Sequence, residues 1–297
     1  IVVGAHGEEQ FGEQFVRWAA LWEKGCTQTG AKSMTVGMKP EAPVTDHELL
    51  KQALLAEPKE CDDELWLVFI GHGTFDGKEA KFNLRGPDLS ATDCAAWLHS
   101  FRRPIAVIDC SSASGPFLNK LAVAGRVVIT ATKSGFEHNY ARFGQFLAEA
   151  IVDPGADLDK DGQTSLLEAY LTASRRVAEF YETEGRLATE HALLDDNGDG
   201  KGTPADWFRG VRAVKKAADG AAPDGPRAHQ FHLVKSPQER EMPQALRTKR
   251  DQLELAIAAL RESKEKIPEE DYYRQLEPLL IELATLYQSG KDPEKLR

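Results

Sequence analysis

Two short stretches carry carboxylates at a spacing that suits a cation. Residues 157–168 read DLDKDGQTSLLE, which is D-x-D-x-D-G-x5-E. That is the pattern of an EF-hand calcium loop. In it Asp157, Asp159 and Asp161 supply side-chain oxygens at the first, third and fifth places, and Gly162 permits the sharp turn. Gln163 offers its backbone carbonyl, Ser165 a direct or water-bridged oxygen, and Glu168 a bidentate carboxylate. So many acids in one short loop repel one another without a cation, so Ca2+ is the expected cofactor. A second loop, DDNGDGKGTPAD at 195–206, places Asp195, Asn197, Asp199 and the Lys201 carbonyl equivalently, with Asp206 in the twelfth place. Its ending is irregular, since Gly202 and Pro204 precede the final acid.

The other reactive types are an imidazole and a thiol. His72 stands in Gly71-His72-Gly73, and Cys110 directly follows Asp109 in AVIDCSSASG. A thiolate beside an imidazole is the nucleophile–base pair of a cysteine peptidase. Gly73 would let its backbone N–H approach a developing oxyanion. Zinc is not expected, because Cys26, Cys61, Cys94 and Cys110 include no CxxC pair.

The elements that must position these groups are legible as apolar runs. Leu65–Ile70 is six consecutive apolar residues ending two before His72, and Ile105–Ile108 ends two before Cys110. RVVITA at 126–131 is a third such run. Continuous apolar strands are buried on both faces, as in a parallel sheet covered by helices. Helical periodicity lies between them: about 8–24, from Thr45, from Ser90 or Thr92 to Leu98, 115–122 and 141–151. A short strand is expected at 33–36, a Pro-rich loop at 40–45, and a hairpin or loop at 74–87. The fold class is therefore α/β, a three-layer α/β/α sandwich with a mostly parallel sheet. Open sheets of this kind gather functional groups at the carboxyl ends of their strands, where His72 and Cys110 both fall.

The expected organisation is a domain over 1–215, a Gly/Pro/Ala-rich linker over 216–243, and a helical hairpin over 244–297. The hairpin's apolar stripe suits packing on the main domain, or a protein partner or self-association. A net charge of −10 without a basic stripe speaks against nucleic acid as a partner. No apolar run is long enough for a membrane span. The compartment is unknown; secretion or a periplasmic location is expected if a leader has been removed.

Over residues 1–152 the chain resembles the caspase–haemoglobinase cysteine peptidases (clan CD), closest to the legumain-like family C13. VVGAHG is similar to their first strand and turn, and LWLVFIGHGTFDG to the strand carrying the His-Gly motif. GPDLSATDCAAWL resembles the helix entry that follows, RPIAVIDCSSASGPF the nucleophile strand, and GRVVITATKSGFEHNYARF the cleft-wall strand. The resemblance implies His72 as base, Cys110 as nucleophile, the Gly73 N–H in an oxyanion hole, and a peptide or protein substrate cleaved after a selected side chain. The family's usual pattern is acid, one small residue, Cys, one residue, Ser-Gly. Here the thiol directly follows the acid, and pairing the acids puts Ser111 at the nucleophile place. Three outcomes stay open: Cys110 acts after a one-residue shift, Ser111 occupies the site, or the fold is a catalytically inactive homologue serving as a calcium-binding interaction module.

Overall fold

The computed structural model describes residues 1–39, 43–218 and 220–290. The first part of the expected Pro-rich loop, 40–42, and the last residues of the expected hairpin, 291–297, lie outside the described residues. The chain divides into two units, Ile1–Val234 and Lys235–Arg297.

The first unit is built on a mostly parallel sheet. In chain order its strands are β1 (Val2–Val3), β2 (Leu65–Ile70), a small antiparallel sheet of β3 (Gly73–Phe75), β4 (Ala80–Phe82) and β5 (Leu89–Ser90), then β6 (Ile105–Asp109), β7 (Arg126–Thr130), β8 (Leu193–Asp195) and β9 (Thr203–Pro204). The main sheet runs β1-β2-β6-β7-β8-β9, parallel through β7, with β8 and β9 antiparallel. The helices of this unit are α1 (Glu9–Thr29), α2 (Asp46–Ala56), α3 (Ala91–Leu98), α4 (Gly115–Leu121), α5 (Phe143–Ala150) and α6 (Leu166–Thr183). The expected strand at 33–36 is reduced to a single bridge between Val36 and Val2.

Side-chain alternation along the strands splits the core in two. Val68 and Ile70 of β2, Ala106 and Ile108 of β6, and Val127 and Ile129 of β7 pack with Phe15, Trp18 and Trp22 of α1, Leu147 of α5 and Tyr170 of α6. Leu67, Phe69, Ile105, Val107 and Val128 face the other way, against Leu50 of α2, Cys94 and Leu98 of α3, and Phe117 and Leu121 of α4. The interior positions of the central strands are thus apolar because both faces are covered, with Asp109, Arg126 and Thr130 only at strand ends, which is why these strands read as apolar runs.

Local signals set the helix ends. Thr45 accepts a hydrogen bond from the Glu48 N–H, and Ser90 from the Asp93 N–H. Ser165 and Glu168 form a reciprocal capping box at the start of α6. Gly30, in the left-handed conformation, closes α1 five residues beyond the expected Lys24 region.

The segment expected as a linker is partly folded into the first unit. Asp224, Ala228 and Phe231 are buried there. The Asp196 carboxylate accepts hydrogen bonds from the Arg227 and Ala228 N–H groups, which docks the segment. The same stretch also holds a short helix at Pro237–Glu241, so its Gly/Pro/Ala composition reports neither the absence of regular structure nor whether the chain is packed.

The second unit holds α7 (Pro237–Glu241), α8 (Gln244–Glu262) and α9 (Glu269–Gly290), the expected helical hairpin with a short preceding turn. The Arg250 guanidinium is buried between the Glu239 and Asp251 carboxylates. Lys249–Glu282 and Tyr287–Glu254 contacts link α8 to α9. Among the described residues no helix is long and apolar enough to cross a membrane.

Candidate functional site

His72 leaves β2 on the same face as Val68 and Ile70. Its ring sits edge-on to Phe11 and Phe15, with centroids 5.0 and 5.2 Å away, and Tyr140 lies at 6.0 Å. Nε2 is 3.2 Å from the His6 carbonyl oxygen. An acceptor there places the proton of a neutral ring on Nε2. Desolvation by this aromatic surround lowers the imidazole pKa below 6.5, so the ring is neutral at pH 7.

Cys110 lies elsewhere. It is 1% exposed and belongs to the core beneath α1 and α5, with Trp18, Phe143 and Leu147. Gly144 makes room for it: a Cβ at that glycine would stand 2.7 Å from the Cys110 Cβ and 2.9 Å from a Trp18 ring carbon. Burial, reinforced by the charges of Asp109 and Glu190, pushes the thiol pKa well above 9.0. A thiol in that state supplies almost no thiolate at neutral pH. The imidazole and the thiol share no hydrogen bond among the described residues; His72 bonds to His6, and the Cys110 N–H to the Phe69 carbonyl.

The strand register explains the separation. β2 and β6 pair Val68 with Ile108 and Phe69 with Asp109. Extended by the same offset (69 + 3 and 109 + 3), that register brings His72 level with Ser112 and leaves Cys110 level with Ile70. Beyond the strand ends the contacts agree: the Cys110 N–H still bonds to the Phe69 carbonyl, while the Ser112 hydroxyl lies against Gly73, next to the imidazole.

Ser111 is fully buried and turned to Asp109, whose Oδ1 accepts from the Ser111 hydroxyl at 2.6 Å and its N–H at 3.0 Å. The second Asp109 oxygen is buried and has no hydrogen-bond partner among the described residues. Burial raises this carboxyl to about 6, against the pull of the two Ser111 bonds. Ser112, which nothing in the sequence motif singles out, lies against Gly73. Its hydroxyl donates to the Gly73 carbonyl at 3.2 Å and accepts from the Gly73 N–H at 3.4 Å. The expected oxyanion donor therefore points at a serine. A Cβ at Gly73 would come 2.3 Å from the Ser112 carbonyl oxygen, so only glycine fits there. Ala113 adopts φ 54°, a costly conformation for alanine, and its N–H donates to the Glu137 carbonyl at 2.8 Å.

The first acidic loop lies between α5 and α6. Oxygens of Asp157, Asp159 and Asp161 fall within 4.8 Å of one another, and so do ligand atoms of Asp159, Glu168 and His229. His229, not foreseen from the sequence, puts its Nε2 3.1 Å from Asp159 Oδ2. Asp157 accepts from the Lys160 and Gly162 N–H groups, Asp159 from Asp161, and Asp161 from Gln163. Glu168 turns inward: Oε1 accepts from the Leu158 and Asp159 N–H groups, and Oε2 from the Ser165 hydroxyl and N–H.

The second loop lies in the β8–β9 hairpin rather than between helices, yet it repeats this wiring. Asp195 accepts from the Gly198 and Gly200 N–H groups, Asn197 from Asp199, and Asp199 from Lys201. These are the same loop positions as in the first.

Asp206 is turned outward, 69% exposed, and paired with Lys215. The acid that does the work of Glu168 is Asp224. Its Oδ1 accepts from the second and third loop N–H groups, Asp196 at 2.8 Å and Asn197 at 3.1 Å. Its Oδ2 accepts from Thr203, the ninth residue, as Glu168 does from Ser165. The irregular ending at Gly202 and Pro204 leads the chain into β9 and carries Asp206 away. Burial raises Asp195 to about 6 and Asp224 to about 7, with Asp196 adding repulsion at the latter.

No protein family model matches the chain, and no curated protein matches it.

Proposed function

We propose that the chain is a calcium-stabilised module with the caspase–haemoglobinase type of α/β fold, and that it does not perform thiol catalysis. One observation carries the second half of this reading. Cys110 is 1% exposed in the core under α1 and α5, with its thiol pKa pushed well above 9.0. A peptidase would need that thiol beside the imidazole, where the Ser112 hydroxyl lies against Gly73 instead. The partner suited to such a module is a peptide or protein at the carboxyl edge of the sheet, where Phe136, 74% exposed, meets Phe75.

Calcium suits the donor sets. Asp157, Asp159, Asp161 and Glu168 offer hard carboxylate oxygens, and Asp195, Asn197, Asp199 and Asp224 do the same in the second loop. The Gln163 and Lys201 carbonyls, the Ser165 hydroxyl in the first loop and Thr203 in the second complete the expected sets. A bound dication would neutralise carboxylates that otherwise repel one another.

Thermal melting with calcium and with a chelator tests the reading. At a hundredfold excess over the dissociation constant a single site adds about 2.7 kcal/mol, or roughly 5–10 °C for a unit of this size. Asp161→Ala should remove most of the first loop's share. A melting temperature unmoved by calcium would overturn the proposal.

A further inference from the structure

A cleft of about 280 Å³ opens beside Tyr140, lined by Asn139, Arg142, Tyr181, Arg186 and Thr189. We propose that it binds a small oxyanion group, a carboxylate or a phosphate monoester, through the Arg142 and Arg186 guanidinium groups. This goes beyond the calcium reading and does not depend on it, since none of these residues belongs to either acidic loop.

In a chain of net charge −10, Arg85, Arg103, Arg175, Arg176 and Arg250 each hold a carboxylate. Arg142 and Arg186 line one cleft, and among the described residues neither guanidinium makes an ion pair or a hydrogen bond; the one acid whose charge meets Arg142 is Glu190. The Arg142 guanidinium is stacked over the Phe180 ring at 4.1 Å and lies 5.8 Å from the Tyr140 ring. Its face is covered, which leaves its N–H edge as the part that can meet a ligand. A planar fork held in place loses little freedom on binding carboxylate or phosphate oxygens.

The acid nearest to the cleft is already committed. Glu190 is 3% exposed and accepts from the Arg142 and Phe143 N–H groups and the Tyr181 hydroxyl. Its charge sets the start of α5 and is one against two guanidinium charges, which leaves the cleft positive. Glu182 and Glu184, at the end of α6, are exposed. Among the described residues neither makes an ion pair with Arg186. The Asn139 side chain, exposed at the rim, adds a further amide donor.

Calorimetric titration of the full chain tests this, with sulfate as the tetrahedral probe and glutarate as the carboxylate probe. Saturable binding of one probe is expected, and the tighter probe identifies the ligand class. Arg186→Gln should weaken it at least about tenfold, the usual weight of a charge-assisted fork. Arg142→Gln should do the same, but it also removes the stack on Phe180. Arg186→Gln, at an exposed position with an unchanged melting curve, is therefore the deciding variant. Absence of saturable binding for both probes would overturn the proposal, as would unchanged affinity in Arg186→Gln. Tenfold weakening with an unchanged fold supports it.

Discussion

Asp224→Ala and Asp206→Ala should differ sharply in stability, although the spacing of the second loop singles out Asp206. Asp224 is 2% exposed and accepts hydrogen bonds from Asp196 N, Asn197 N and Thr203 Oγ1. Truncation leaves two loop N–H groups and a hydroxyl without their acceptor. A buried group left unsatisfied costs about 1–3 kcal/mol. Relief of the repulsion between Asp224 and Asp196 returns part of this. The net loss is then about 2–4 kcal/mol without calcium, or roughly 5–10 °C in melting temperature. Asp206 makes one exposed ion pair with Lys215, worth at most about 1 kcal/mol. Urea denaturation of the two variants beside the parent chain gives both values. If Asp206→Ala costs as much as Asp224→Ala, the assignment of Asp224 to the twelfth place fails. With calcium present the gap should widen, because only Asp224 closes the loop.

Asp109 should impose a pH dependence. Its folded value of about 6 lies above the ordinary 3.8, so the native state keeps a proton that the unfolded chain releases. This stabilisation is present below about pH 4 and fades as pH rises to about 6, a change of about 3 kcal/mol. Asp109→Asn should remove that component from urea melts taken across this range; an unaltered slope would count against the orphaned carboxyl. Gly144→Ala tests the packing over Cys110. Helix propensity alone predicts a gain of up to about 1 kcal/mol, whereas a Cβ 2.7 Å from Cys110 and 2.9 Å from Trp18 predicts a net loss of about 1–3 kcal/mol. A stabilised variant would mean that the thiol is not where the core places it.

The central strands were legible because burial on both faces leaves a signature in each segment by itself, as in Leu65–Ile70 and Ile105–Ile108. The first acidic loop was legible for the same reason, its carboxylates lying within twelve consecutive residues. What the sequence hid depends on relations between segments. Alternation puts Cys110 and His72 on the same face of the sheet, but that the Cys110 N–H bonds back to Phe69 while Ser112 meets Gly73 depends on how β2 and β6 pair, which neither strand encodes alone. Asp224 reaches the second loop from 28 residues beyond Asp196, out of a stretch whose composition suggested only a connector. His229 reaches the first loop from the same stretch.

The account rests most heavily on the position of the Cys110 thiol, and site-resolved alkylation of the native protein measures it directly. Peptide mass mapping would follow Cys110 beside Cys61, which is partly exposed, and Cys94, which is buried. Cys61 should react readily, while Cys110 should be protected like Cys94 and react only as fast as the domain unfolds, at a rate indifferent to His72→Ala. Rapid alkylation of Cys110 that collapses in His72→Ala would contradict the account and restore the thiol–imidazole dyad.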